Sequence, residues 1–399
     1  MNIVKKAYCR SFQKVFKIAL PILPYRTPAV MHSVKEIPEE LKKLRVKRVL
    51  IVTDHFLYSS GVTRELENVL MRAHVEFVIY DKTVANPTTT NIEEARKLYL
   101  KNQCKALIGF GGGSSIDCAK AVGARVANPR KSLSRMSGIL KVRRKLPPLF
   151  AIPTTAGTGS ETTLAAVITD PVSRHKYPIN DFPLIPRYAV LDPEVTRSLP
   201  PALTATTGMD ALTHAVEAYI GGSTTAETRA WAIEAVKLIF KYVERAYRDG
   251  NDMHARRGML KAAYQAGNAF SQSYVGYVHA VAHSLGGAYN IPHGLANSVL
   301  LPIVLEAYGT AAAKKLHELS VAVGLSNTQE SDAAGAEKFI KEIRAMNERM
   351  NIPTSLQGID AKDIPKLARY ADAEANPLYP VPVLWDAGQL ERFYYSVME

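Results

Sequence analysis

The sequence predicts a two-part fold: an α/β half built on a parallel sheet, followed by an all-helical half. Two observations carry this. Between Val46 and Asp192, five short runs are almost pure Val, Ile and Leu, with helical segments between them. From about Thr204 onward, long Ala-rich helical patterns take over and β-rich runs nearly vanish.

The elements follow in chain order. Val4, Tyr8, Phe12, Val15, Phe16 and Ala19 recur at helical spacing, with Lys5, Arg10, Lys14 and Lys17 mostly elsewhere on the wheel. This predicts a basic amphipathic helix over residues 1–20, ended by Pro21 and Pro24. It is expected to dock on its own domain or a subunit neighbour, or to touch anionic lipid. The five strands are expected in "VKRVLIVTD" (Val46 to Asp54), "VEFVIYD" (Val75 to Asp81), "ALIGFGGG" (Ala106 to Gly113), "LFAIPTT" (Leu149 to Thr155) and "YAVLD" (Tyr188 to Asp192). Strands covered on both faces read as continuous apolar runs, which argues for a parallel sheet. Asn91 to Asn102 reads as an intervening helix with Asn91 as its N-cap. Pro200 and Pro201 mark a hinge, giving a basic segment 1–26, an α/β domain 27–199 and a helical domain 200–399.

Composition bounds the function class. The chain has 399 residues, 47% hydrophobic and 22% charged, which is globular composition with room for two cores. Cys9, Cys104 and Cys118 are odd in number and widely spaced, so a reducing cytoplasm is expected rather than a disulfide framework. The net charge of +13 is local. Six basic residues and no acid lie in 1–26, and seven with no acid lie in 130–145; the remainder is neutral. No nucleic-acid face is implied. No apolar stretch approaches the roughly 18 residues of a membrane-spanning helix.

"ALIGFGGGSSIDCAKAVG" has the form strand, glycine turn, helix. Gly111, Gly112 and Gly113 let the backbone approach a phosphate closely, and free N–H groups with the Ser114 and Ser115 hydroxyls form an anion site. Asp54, at the end of the first strong strand, can accept from both hydroxyls of an adenosine ribose or cap the next helix. In the first role it would repel a 2′-phosphate and favour NAD over NADP. The hydroxyl-rich loop "PTTAGTGSETT", Pro153 to Thr163, is a further phosphate-friendly turn.

In the helical half, Asp210 and His214 are four apart and share a helix face, and His279 and His283 repeat that spacing. "GGAYNIPHG" then breaks the helix and returns His293 on a loop. One carboxylate and three imidazoles suit Fe²⁺, Zn²⁺, Mn²⁺ or Co²⁺ with a position left for substrate. Two of His279, His283 and His293 would be ligands and the third a proton carrier. Glu217, one turn beyond His214, is placed either to orient that imidazole or to face solvent, and the solvent-facing reading is preferred. A nucleotide half and a metal half imply chemistry between them.

The motifs "GGGSSIDCAK", "PTTAGTGSETT", "KYPINDFPLIPRYAVLDP", "GMDALTHAVEAY" and "HAVAHSLGGAYNIPHGLANSVLLP" resemble the iron-containing (group III) alcohol dehydrogenase family, in order from about Val46 to the C-terminus. The resemblance implies a dehydroquinate synthase-like fold, with a dinucleotide-binding α/β domain and an all-α metal-binding domain. It implies Asp210, His214, His279 and His293 as metal ligands and His283 as a non-ligand near the nicotinamide. Dinucleotide contacts are implied for Asp54, Asn86, Gly113, Ser114, Asp117, Thr154, Thr155, Thr163 and Lys176, beside the Gly112 of the turn. The implied reaction is NAD-linked interconversion of a primary alcohol and its aldehyde by hydride transfer, with Fe²⁺ or another divalent ion, in a cytoplasmic homo-oligomer such as a dimer. The rivals are a glycerol or polyol dehydrogenase, a dehydroquinate-synthase-like enzyme, and a non-catalytic membrane-associated protein. Residues 1–20 and 130–145 depart from the family pattern, as does "RTPAVMHSVKEIPEELKKL" before the first strand.

Overall fold

The computed structural model describes residues 1–172 and 175–399. It divides into two compact units: Pro24–Leu199, and Met1–Leu23 together with Pro200–Glu399.

In the first unit the strands are β1 (Ala29–Met31), β2 (Arg48–Val52), β3 (Glu76–Tyr80), β4 (Ala106–Gly111), β5 (Gly138–Ile139), β6 (Leu149–Pro153), β7 (Ala165–Asp170), β8 (His175–Asn180) and β9 (Tyr188–Val190). Six of them form one sheet in the order β1-β9-β6-β4-β2-β3, with every described pairing parallel. All five expected strands are present, each trimmed at one or both ends. The reason they read as unbroken apolar runs is visible in the packing. In β2, Leu50 and Val52 enter one buried cluster, while Val49 and Ile51 enter another. Leu107 of β4 joins the first, and Ile108 and Phe110 join the second. Both faces of the sheet are therefore dry.

Some elements differ from expectation. The edge strand β1 and a small second sheet, β5-β8-β7 with β7 and β8 antiparallel, add to the predicted set. The helix after β3 runs Thr89–Lys101, and its N-cap is Thr88, not Asn91. Thr88 Oγ1 accepts from the Asn91 N–H while the Asn91 side chain accepts from the Thr88 N–H, a reciprocal arrangement that places Asn91 inside the first turn.

The chain order fixes one location in the sheet. From β2 the next connection goes to β3 on one side, and the following one to β4 on the other. The strand order reverses between β2 and β4, so the carboxyl ends of these strands border the crevice where open α/β sheets bind ligands.

The second unit is helical. Pro201–Ile220, Ala226–Arg248 and Met253–Ser273 pack on one another, followed, among the described residues, by Tyr277–Tyr289, His293–Tyr308 and four further α-helices. Among the described residues no helix is long and apolar enough to cross a membrane. The helix Ile3–Ala19 belongs to this unit. It docks, but not by its apolar stripe. Cys9 and Gln13 are its buried residues, whereas Val4, Tyr8, Phe12 and Val15 are exposed. Of the stripe, Phe16 makes an edge contact with Tyr274 at 5.0 Å.

Pro201–Ile220 is seated deeply because Gly208 lets its neighbours close in. A Cβ at Gly208 would lie 2.5 Å from Val243 Cγ2 and 3.0 Å from Met259 Cε. Alanine would gain about 1 kcal/mol in helix propensity, but overpacking a rigid core costs about 1–3 kcal/mol. Gly208→Ala is therefore expected to lower the melting temperature of the helical unit, measured by calorimetry.

Candidate metal centre and nucleotide corner

Pro201–Ile220 carries Asp210, His214 and Glu217 at successive turns, so all three project from one face. Tyr277–Tyr289 carries His279 and His283. The chain then turns at Asn290, in the left-handed region at φ 54°, and Pro292 precedes the next helix. Two expectations are corrected here. Gly286 and Gly287 lie within the helix and do not make the reversal. His293 is the first residue of His293–Tyr308, not part of a loop. Pro292 pre-sets the backbone for helix entry, which is why the break is so short.

Asp210, His214, His279 and His293 converge, with one ligand atom of each within 4.8 Å of all the others. His293 Nε2 is 3.4 Å and His279 Nε2 is 3.8 Å from Asp210 Oδ1. Asp210, His214 and His279 are buried, and His293 is partly exposed. The His214 ring stacks on Phe270 at 4.0 Å and lies 4.3 Å from the His279 ring. Asn297 donates to Asp210 Oδ1 at 2.7 Å.

Glu217 is the largest departure from the sequence reading. It does not face solvent; it is buried, and it orients His279. Its carboxylate accepts from the N–H groups of Gly276 and Val278, each at 2.8 Å, and sits 2.6 Å from His279 Nδ1. Burial pushes this carboxyl up to about 8, against the pull of those donors. Burial, with the neighbouring imidazoles, holds His279 well below its ordinary value, so the ring is neutral. When Nδ1–H donates to the ionised Glu217, Nε2 presents its lone pair toward Asp210. That Nε2 is buried with no hydrogen-bond partner among the described residues. A buried nitrogen without a partner is costly, and a cation among neutral imidazoles and a carboxylate removes the cost. The donor set fits a divalent metal.

His283 stands beside the group and outside it, its ring 5.0 Å from that of His293. Its Nδ1 is 2.6 Å from Glu374 Oε1, which also accepts from the Tyr379 hydroxyl at 2.7 Å. Burial pushes the Glu374 carboxyl up, but His283, the Tyr379 hydroxyl and His293 together leave it below its ordinary value. From sequence, Glu217 is placed toward solvent and Glu374 is not singled out. Glu217 had a local signal, three residues beyond His214 on the same face. Glu374 had none.

In the α/β unit, β4 ends at Gly111, whose φ of 147° favours glycine, and Gly112 precedes the helix Gly113–Ala127. Among the described residues no side chain caps that helix start, so its first N–H groups are available to an anion. Thr155 lies against Gly112, and its Oγ1 is buried without a hydrogen-bond partner among the described residues. Thr154 donates its N–H to Gly111 O at 3.0 Å. The Asn86 N–H donates to Ser114 Oγ at 3.2 Å, and Lys176 Nζ donates to Asn86 Oδ1 at 2.7 Å. These residues gather at one corner. Asp54, at the end of the adjacent β2, caps the helix His55–Ser59 by accepting from Leu57 N–H through Oδ1.

Asp117 and Thr163 are engaged within the protein. Asp117 accepts from Ser160 Oγ at 2.6 Å and Val167 N–H at 2.9 Å. The fully buried Lys120, absent from the sequence reading, donates to Thr163 O, Thr163 Oγ1 and Ala165 O. Burial lowers this ammonium to about 8. These bonds brace the loop after β6, and Asp117 remains partly exposed.

Groups that orient a metal-binding imidazole typically contribute 10–100-fold in affinity. Glu217→Gln is therefore expected to weaken divalent-metal binding by about 10–100-fold, measured by competition with a chromogenic chelator.

Comparison with known proteins follows the same division. Residues 29–193 match the family model for iron-containing alcohol dehydrogenase, and residues 204–394 match the C-terminal model of the Fe-containing alcohol dehydrogenase family. The chain is 39% identical over 341 residues to the NAD-dependent methanol dehydrogenase of Bacillus methanolicus, covering 85% of this chain and 89% of that protein. It is 35% identical over 367 residues to the 1,3-propanediol dehydrogenase of Klebsiella pneumoniae, covering 91% and 94% respectively. Among solved structures, a 1,3-propanediol oxidoreductase superposes with a TM-score of 0.90 at 33% identity, covering 94% of this chain and 99% of that one. The alcohol dehydrogenase of Oenococcus oeni superposes with a TM-score of 0.89 at 32% identity, covering 94% and 100%. With both units matched in sequence and in structure, the chain belongs to the iron-containing alcohol dehydrogenase family.

Proposed function

We propose that the chain is an NAD-linked, metal-dependent alcohol dehydrogenase that interconverts a small primary alcohol and its aldehyde. The observation that carries the reading is the convergence of Asp210, His214, His279 and His293 with the orphaned Nε2 of His279. Fe²⁺ is the ion the family name favours, and the same donors accept Zn²⁺ or another divalent ion. The names of the methanol and 1,3-propanediol relatives support a short primary alcohol.

When bound, the metal supplies a Lewis acid for the substrate oxygen and the nicotinamide supplies the hydride acceptor. The protein's part is to hold and orient. Asp210 and the three imidazoles would hold the ion, and Glu217 fixes the ring of His279. Asn86, Gly112, Gly113, Ser114, Thr154, Thr155 and Lys176 form the corner that would seat the dinucleotide phosphates, on the free N–H groups of the Gly113–Ala127 helix. Asp117 and Thr163 keep that corner in shape. Asp54, which follows β2 and caps the helix His55–Ser59, would accommodate a ribose 2′-hydroxyl there and repel a 2′-phosphate. His283, held at Nδ1 by Glu374, takes the alcohol proton at Nε2 and passes it to solvent. Three free, buried cysteines suit a reducing cytoplasm, and the family resemblance supports a homodimer.

The first test follows NADH absorbance with a short aldehyde. Chelation is expected to abolish turnover and Fe²⁺ or Zn²⁺ to restore it; full activity in chelated His279→Ala protein would refute the proposal. The second separates His283 from the ligands. Removing a general acid–base typically costs 10²–10⁴-fold, so His283→Gln is expected to lower kcat by roughly 10²-fold or more while the metal content is unchanged. Loss of metal in that variant would instead make His283 a ligand.

A further inference from the structure

The helix Ile3–Ala19 is mounted with its polar face inward. Arg10 donates to the carbonyls of Val381 and Pro382 at 2.7 and 2.8 Å. Gln13 donates to Tyr379 O at 2.7 Å, Lys17 to Gly222 O at 2.9 Å, and Lys5 pairs with Asp372 at 2.8 Å. The opposite side of the helix is apolar and open. Val4 is 74% exposed, Tyr8 61%, Val15 66% and Ile18 67%. Ile3 and Ile22 are also exposed. An amphipathic helix normally buries this face, and a contiguous exposed apolar patch marks an interaction surface.

Charge selects the occupant. Lys6, Arg10, Lys14 and Lys17, spaced by four, four and three residues, run along one flank of the stripe. Among the described residues no carboxylate pairs with any of them, and residues 1–26 contain no acid. Pairing the stripe with that of a second copy would bring two such cationic segments together. An anionic bilayer offers apolar depth and opposite charge at once, and a helix with one apolar face and a Lys/Arg-rich polar side lies in the plane of that interface. We infer that Ile3–Ala19 is a peripheral membrane anchor: its Ile3, Val4, Tyr8, Val15 and Ile18 face enters the headgroup boundary of anionic lipid. The docked polar face keeps the helical unit attached while this happens, so no unfolding is needed.

The test is sedimentation of the intact enzyme with phosphatidylcholine vesicles, with and without phosphatidylglycerol. Sedimentation is expected only with the anionic vesicles and is expected to fall as salt rises. The double variant Val15→Glu/Ile18→Glu should lose binding, and Lys6→Gln/Lys14→Gln should weaken it by about tenfold, each with unchanged alcohol turnover and melting temperature. Absence of sedimentation, equal sedimentation with neutral vesicles, or retention in the glutamate variant would overturn the inference. A fall in oligomeric mass in the glutamate variant, read by light scattering, would also overturn it by assigning the stripe to a second copy.

Discussion

The contact between Glu217 and His279 Nδ1 is the constraint on which the candidate metal centre depends. A buried imidazole has two nitrogens to satisfy, and the structure satisfies one with a carboxylate that is itself held by two backbone N–H groups. The other is left aimed at Asp210. Because Glu217 and Asp210 sit on the same helix, the ligand and the group that orients its neighbour move as one body. That rigidity comes from the close seating of the helix at Gly208, between Val243 and Met259. Packing, tautomer and ligand geometry are thus successive consequences of one helix being buried on every side.

The α/β unit relies on backbone more than on side chains. Its sheet places the ends of β2 and β4 side by side where the strand order reverses, and the Gly113–Ala127 helix begins there without a side-chain cap. The Lys120 ammonium, buried among carbonyl oxygens, then stiffens the loop that presents Thr154 and Thr155. Keeping a charge there is costly, as its depressed proton affinity shows, and three oxygen acceptors offset the cost.

Much of this was legible in the sequence, and the failures share a cause. The strands were readable because both faces of the sheet are covered; β1 was not, because Ala-Val-Met after Pro28 is too short to carry a period. The i, i+4 pairs Asp210/His214 and His279/His283 were readable because helical periodicity is local. Glu217 was misassigned because Pro201–Ile220 is buried nearly all round, so no polar face tells an inward carboxylate from an outward one. Glu374 reaches His283 across 91 residues of chain, a distance no spacing rule spans. The amphipathic character of Ile3–Ala19 was evident, yet amphipathicity does not say which face meets the protein, and backbone carbonyls on its neighbour drew the polar side inward.

The three-residue joint Asn290-Ile291-Pro292 has a consequence for how this protein can diverge. Each residue added to the helix between His279 and that joint would swing the exit of the chain by about 100° around the axis. His293 would then emerge on another side of the unit, far from Asp210. Insertions and deletions are therefore barred from this stretch even where single replacements are harmless, and its length is a fixed property while surface turns elsewhere remain free to grow.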